Sequence, residues 1–281
     1  MTAILSKLAE LNVAWRLLIF AVLLILLVSP LLLLSSSLLQ FLFAAIILTV
    51  LMVAWSRRVD RRSIRDYGLE PSGAMVAELA AGLTIGTASV ALMFLLVTAP
   101  GGLASVSFQN HAFDSAFGLF FLKTALVAYW EETVFRGFLL INLKNSFSTR
   151  WGKLNGMVAA VGASSLLFGI IHSGTNHFSA LAFAILTLNG AVWCVPILLT
   201  GRLGLSVGLH ASWNFSQSKI FGFAMSGNAA EDALFDAKLS GWEIWTGGAY
   251  GPEGGLLGIV GLMAMLALII GYALLARKFR R

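Results

Sequence analysis

Glu131, Glu132 and Arg136, then His172, then His210 and Asn214 are polar residues set inside an otherwise apolar chain. They fall in three blocks, Glu131-Glu132-Thr133-Val134-Phe135-Arg136, Phe168-Gly169-Ile170-Ile171-His172 and His210-Ala211-Ser212-Trp213-Asn214. An ionisable side chain near the bilayer centre costs about 2.5–3.5 kcal/mol on the insertion scale, so such residues usually line a polar cavity and carry function. Residues four apart share a helix face, which puts Glu132 near Arg136, Phe168 near His172 and His210 near Asn214. Glu131 is turned about 100° from Glu132. One glutamate can therefore face a cavity while Arg136 neutralises the other and limits the cost of burying it.

Two histidines, an asparagine and a free glutamate suit water-dependent cleavage of an amide. A carboxylate can take a proton from water, and His and Asn donors can steady the oxyanion that forms on the attacked carbonyl. The same residues also suit a metal site, with His172, His210 and Glu131 holding zinc in the three-ligand pattern of catalytic centres. The HExxH zinc-helix pattern is absent, and both mechanisms stay open at this level.

The elements that position these residues are membrane helices. Of the 281 residues 58% are hydrophobic and only 11% charged, and the mean hydropathy is +0.87, values foreign to a soluble domain. Apolar runs long enough to cross about 30 Å of hydrocarbon lie at about 15–36, 38–56, 74–97, 116–143, 156–174, 178–200, 203–224 and 255–276. The expected fold is an all-α polytopic bundle of about eight transmembrane helices.

Arg57, Arg58, Arg61, Arg62 and Arg65, then Lys144, Arg150 and Lys153, then Arg202, and finally Arg277, Lys278, Arg280 and Arg281 occupy the even-numbered connections and the tail. By the positive-inside rule both termini are cytoplasmic. The connection 225–254 is acidic instead and is expected outside. The net charge of +6 thus reports topology and attraction to membrane lipids, not nucleic-acid binding.

Cys194 is the single cysteine, so neither a disulfide within the chain nor a cysteine zinc cluster is available; it reads as core filler. Ile4, Leu8 and Leu11 at helical spacing suggest a short interfacial helix within residues 1–14, ahead of an uncleaved anchor. The organisation expected is 1–64, the interfacial helix and two spans; 65–224, the catalytic membrane core; and 225–281, the extracytoplasmic loop and last span. Lys123 and Glu78 are expected to snorkel toward the outer and cytoplasmic surfaces, and Asn189 to join helices by a hydrogen bond.

The order EExxxR, FxxxH, HxxxN on successive membrane helices resembles the CPBP family, the CAAX-processing and bacteriocin-immunity type of intramembrane endopeptidase related to type II CAAX prenyl proteases. Arg65-Asp66-Tyr67-Gly68-Leu69 and Thr200-Gly201-Arg202-Leu203 add to the resemblance, which runs from about residue 65 to 224. It implies that Glu131 activates water with help from His172, that Glu132 pairs with Arg136 as a supporting acid, and that His210 and Asn214 form the oxyanion site. Similar proteins are described both as metalloproteases and as metal-free glutamate proteases, so the resemblance leaves zinc open. It further implies a multi-pass protein of a bacterial plasma membrane whose substrate is a peptide or lipidated protein.

A non-catalytic scaffold or immunity-type protein of the same fold is the alternative, and a proton-coupled transporter a more remote one. At about 1.5 Å per residue, Glu131 lies about 21 Å from the outer end of its helix and His210 about 10 Å from the inner end of its own. Both fall in the cytoplasmic half, while His172 counted from Lys153 comes close to the outer face. A shallow segment over 154–162, with the span beginning near Gly162, would restore a common depth and a cytoplasm-facing site.

Overall fold

A computed structural model describes residues 7–98, 103–109 and 115–278. The elements are α1 (Val13–Val28), continued by a 3-10 turn to Leu33, α2 (Ser37–Arg58), α3 (Gly73–Thr98), β1 (Leu103–Phe108), α4 (Ser115–Glu132), α5 (Ile141–Trp151), α6 (Lys153–Ile171), α7 (Ala180–Val192), α8 (Val195–Thr200), α9 (Gly204–Phe215), β2 (Phe235–Leu239), α10 (Glu243–Thr246) and α11 (Leu256–Lys278). Of the expected interfacial helix, residues 7–10 are helical and residues 1–6 lie outside the described residues. The structure is 78% helical, so the all-α bundle is the observed class.

Among the described residues six helical stretches are long and apolar enough to cross a membrane: Val13–Leu33, Ser37–Arg58, Gly73–Thr98, Lys153–Gly174, Ala180–Thr200 and Leu256–Ala276. They coincide with six of the eight expected spans. The other two expected spans are helical as well, but each is interrupted by a π-helical segment, Thr133–Leu140 between α4 and α5 and Ser216–Ile220 after α9, and α9 itself is only 12 residues long.

The core is organised around α9, in which every residue from Gly204 to Trp213 is buried. Helix α3 lies directly against it. A methyl group added at Gly208 would fall 2.3 Å from the Leu79 carbonyl oxygen, and one added at Gly82 would fall 2.5 Å from that of Leu205. Small residues at fourfold spacing, Gly82 and Gly86 on one helix and Gly204 and Gly208 on the other, let the two backbones approach this closely, as in small-xxx-small membrane pairs. The approach also corrects the reading of Glu78: it does not snorkel to the surface but is buried in an ion pair with Arg202, because Arg202 just ahead of α9 is carried over it.

Helices α5 and α6 form a hairpin that reverses at Gly152, whose φ of 82° suits a glycine. Since α6 then runs without a break from Lys153 to Ile171, residues 154–162 are not a separate shallow segment. The reversal at Gly152 supplies the break that the expectation placed near Gly162. Glu131 and His172 stand 21 and 20 residues from Gly152, about equally far from the reversal.

The connection 225–254 is folded onto the bundle. Its β2 pairs antiparallel with β1, from Leu103 opposite Leu239 to Phe108 opposite Phe235. An aromatic cluster ties the pair to the end of α3, with Phe94 centred 4.8 Å from Phe221 and 5.4 Å from Phe235. Asn189 is buried, but its side-chain oxygen finds no hydrogen bond among the described residues, so the expected interhelical bond through that oxygen is not formed.

Candidate active site

Helix α4 ends at Glu132, and the rod continues through a π-helical segment, Thr133–Leu140, into α5. Such widened turns are frequent at functional sites. Here Thr133 and Arg136 are drawn into the interior with no exposed surface. Arg136 Nη1 donates to Glu132 Oε1 at 3.0 Å, the i, i+4 pair expected from the spacing. Its guanidinium stacks over Phe168, 4.4 Å from the ring centroid, with Trp193 at 5.5 Å. A flat, weakly hydrated cation between aromatic faces is one that tolerates removal from water.

His210 reaches the same carboxylate from α9. Its Nδ1 lies 2.8 Å from Glu132 Oε1. An ionised carboxylate only accepts, so Nδ1 carries the hydrogen and Nε2 is left for chemistry. Nε2 faces Glu131 Oε2 at 3.8 Å, and the imidazole is wedged 4.0 Å from the Trp193 ring. His210 therefore bridges the two glutamates: it is fixed by the fully buried Glu132 and aimed at Glu131, whose side chain keeps 20% of its surface accessible.

His172 caps the end of α6. Its Nδ1 is 2.7 Å from the Phe168 carbonyl oxygen and its ring lies 4.6 Å from Phe168, the face-sharing expected from FxxxH. The carbonyl accepts, so Nδ1 again bears the hydrogen and Nε2 remains available. His172 is within electrostatic reach of His210. Asn214, one turn beyond His210, is half-buried and uses no side-chain hydrogen bond among the described residues.

Glu253 belongs to this neighbourhood and was not expected there. It is buried in the connection ahead of α11, where its Oε1 accepts from Ser226 N–H at 2.6 Å and Ser226 Oγ at 2.8 Å. His172 acts on it electrostatically. Desolvation by burial is the largest influence on its carboxyl and holds its pKa above the ordinary value. Tyr250 accepts from Thr175 Oγ1 at 3.4 Å, and its phenol is pushed up to about 12, first by burial and then by the Glu253 charge. With Gly227 N–H donating to Tyr250 O at 3.0 Å, the segment 224–255 closes over the end of α6 beside His172. In sequence Glu253 read only as one more acid of an outer loop; its flanking glycines, Gly251, Gly254 and Gly255, were the signal for a tightly packed turn.

Among the described residues no group of three or more His, Cys, Asp or Glu is placed to hold a metal ion. The Nδ1 atoms of His210 and His172 are engaged by Glu132 and by the Phe168 carbonyl, and the Nε2 atom of each ring is left free.

A helical bundle with six membrane-crossing stretches and a buried Glu/Arg/His cluster at its centre defines an integral multi-pass membrane protein. Residues 113–216 match the family described as Type II CAAX prenyl endopeptidase Rce1-like, a stretch that contains all three polar blocks. The match supports membership of the CAAX-processing family and a peptidase activity. No curated protein and no solved structure matches the chain.

Proposed function

We propose that the chain is an intramembrane endopeptidase that hydrolyses a peptide bond of a membrane-associated or lipidated protein through a water activated by Glu131. The observation that carries this reading is the bridge made by His210, anchored on buried Glu132 and presenting Nε2 to partly accessible Glu131. Glu131 is the one carboxylate of the cluster left without a strong partner, as a general base requires.

In the proposed reaction Glu131 takes a proton from water as the water oxygen adds to the scissile carbonyl, with His172 Nε2 orienting that water. The oxyanion is met by the Asn214 amide and by His210 Nε2, which becomes a donor by taking from Glu131 the proton abstracted from water, the resulting imidazolium being held by the Glu132 carboxylate. The C–N bond then breaks and the same proton passes back through Glu131 to the leaving amine. Arg136 pairs with Glu132 and does not touch substrate. Residues 65–224 form the catalytic core in this reading, flanked by 1–64 and 225–281, in a bacterial plasma membrane with the arginine-rich connections inside.

The test is incubation of the purified chain with prenylated CAAX-type peptides and with unlipidated membrane peptides, with and without a chelator, with products mapped by mass spectrometry. Cleavage at one defined bond that survives chelation is the expected outcome. Absence of any cleavage across both panels by well-folded protein would contradict the reading.

A further inference from the structure

A cavity of about 980 Å³ lies at the opposite end of the hairpin from His172, between the first turn of α1 and the turn joining α5 to α6. Arg16, Arg62, Arg150 and Lys153 line it, and none of its lining residues is acidic. Behind the wall Asp60 takes Arg16 Nη1 at 2.8 Å, but it is also shared with the Tyr67 hydroxyl at 2.5 Å and Asn142 at 3.5 Å. It therefore offsets Arg16 and no more. Arg62 donates to the neutral Asn142 side chain at 3.4 Å, and Arg150 lies against the Trp151 ring. Arg62, Arg150 and Lys153 make no ion pair among the described residues.

Two helix ends add to this charge. The first turn of α1, Val13 and Ala14, faces the cavity. Helix α6 begins at Lys153 on Gly152, which offers no side-chain cap. In α1 the Asn12 side chain already takes the Trp15 N–H at 3.2 Å; the remaining first-turn N–H groups of the two helices present the positive ends of their dipoles, which favour an oxyanion with several acceptor oxygens. Three uncompensated cations and two helix N-termini around one cavity make a phosphate-binding environment.

The surroundings select the molecule that bears the phosphate. Trp151 lines the cavity, and Trp15 and Leu18 on α1 and Leu154 on α6 stand within two positions of its lining residues; Trp15, Leu18, Trp151 and Leu154 are 54%, 51%, 47% and 67% exposed. Exposed tryptophans beside apolar residues mark the level where a bilayer's headgroups meet its chains. An anion held here by its head would lay apolar tails along α1 and α6. We propose that this cavity binds the headgroup of an anionic phospholipid, independently of any peptidase activity.

The test uses native mass spectrometry of the full chain released from detergent after incubation with phosphatidylglycerol or phosphatidylcholine. Each near-surface cation is worth roughly five-fold in lipid affinity, so Arg150→Gln with Lys153→Gln should lower phosphatidylglycerol retention roughly 25-fold. The control is Arg57→Gln with Arg58→Gln, the same charge change on exposed side chains at the end of α2, which should leave retention unchanged. Should the first double variant lose thermal stability, either single substitution, at roughly five-fold, carries the same test. Equal losses in the two double variants, or equal retention of the two lipids by the wild type, would overturn the site. Inorganic phosphate alone that stabilises the wild type against heat but not the Arg150/Lys153 variant, with no phosphatidylglycerol retained, would assign the cavity to a soluble anion and overturn the lipid.

Discussion

His210 donates its Nδ1 hydrogen to Glu132 Oε1 at 2.8 Å, joining residues 78 positions apart in the chain. The same oxygen accepts from Arg136 at 3.0 Å. One buried carboxylate thus has two tasks, neutralising a guanidinium and fixing the orientation of an imidazole, and the other ring nitrogen of that imidazole is turned to Glu131. The adjacent glutamates differ in role because α4 turns them to different environments, one sealed and one accessible.

Arg136→Ala should be destabilising before it is anything else. It leaves the Glu132 carboxylate buried with His210 as its sole partner, at a cost of about 3–5 kcal/mol, and removes the cation from the Phe168 and Trp193 faces. Thermal denaturation in detergent should show a large fall in melting temperature. A variant that kept wild-type stability and lost turnover would move Arg136 from support into the chemistry.

Gly208→Ala should separate α3 from α9, since the added methyl would meet the Leu79 carbonyl oxygen at 2.3 Å. Overpacking of this kind costs about 1–3 kcal/mol. At Gly162 an added methyl meets nothing within 4 Å, so Gly162→Ala should be neutral or stabilise by up to about 1 kcal/mol. Melting temperatures of the two alanine variants, measured side by side, check the contrast. Equal effects would mean that the glycine seam does not set the packing.

The three polar blocks were legible because each residue bears a burial cost that only function or pairing explains, and the i, i+4 spacing alone placed Arg136 on Glu132 and His172 on Phe168. The bond from His210 to Glu132 was not legible, since helix spacing cannot tell which of two adjacent glutamates a distant helix will meet. The glycines at 82, 86, 204 and 208 were present as a signal for a close helix pair, and that pair is what buries Glu78 against Arg202. The β1–β2 pairing lay beyond reach for another reason: two short strands more than a hundred residues apart carry no local pattern strong enough to be matched. Glu253 was hidden by composition, an acid among the acids of a loop that reads as solvent-exposed.

Glu253 provides a pH test. Burial raises its carboxyl pKa in the folded chain above the ordinary value of 4.5, so the folded state binds more protons than the unfolded state as pH climbs past that value. Its contribution to stability is complete below the unfolded pKa and is lost as pH rises through the raised folded pKa. Glu253→Gln does not titrate. The melting temperature of the wild type relative to this variant should therefore fall as pH is raised from 4 to 8. A difference that stays flat or grows with pH would contradict a raised carboxyl.

Asn214→Ala should remove one oxyanion donor and leave substrate binding intact. The expected loss is about a hundred- to a thousand-fold in kcat with KM little changed, the sign of an interaction used in the transition state. Steady-state kinetics on a cleaved peptide separate the two constants. A rise in KM at unchanged kcat would make Asn214 a substrate-binding residue.

The most direct measurement is the single-turnover rate of Glu131→Gln on a peptide that the wild type cleaves, with folding confirmed by an unchanged melting temperature. Gln keeps the size and polarity of the side chain but cannot take the proton from water. Cleavage should fall to background while the labelled peptide still binds. Cleavage at the wild-type rate by the folded variant would show that Glu131 is not the base.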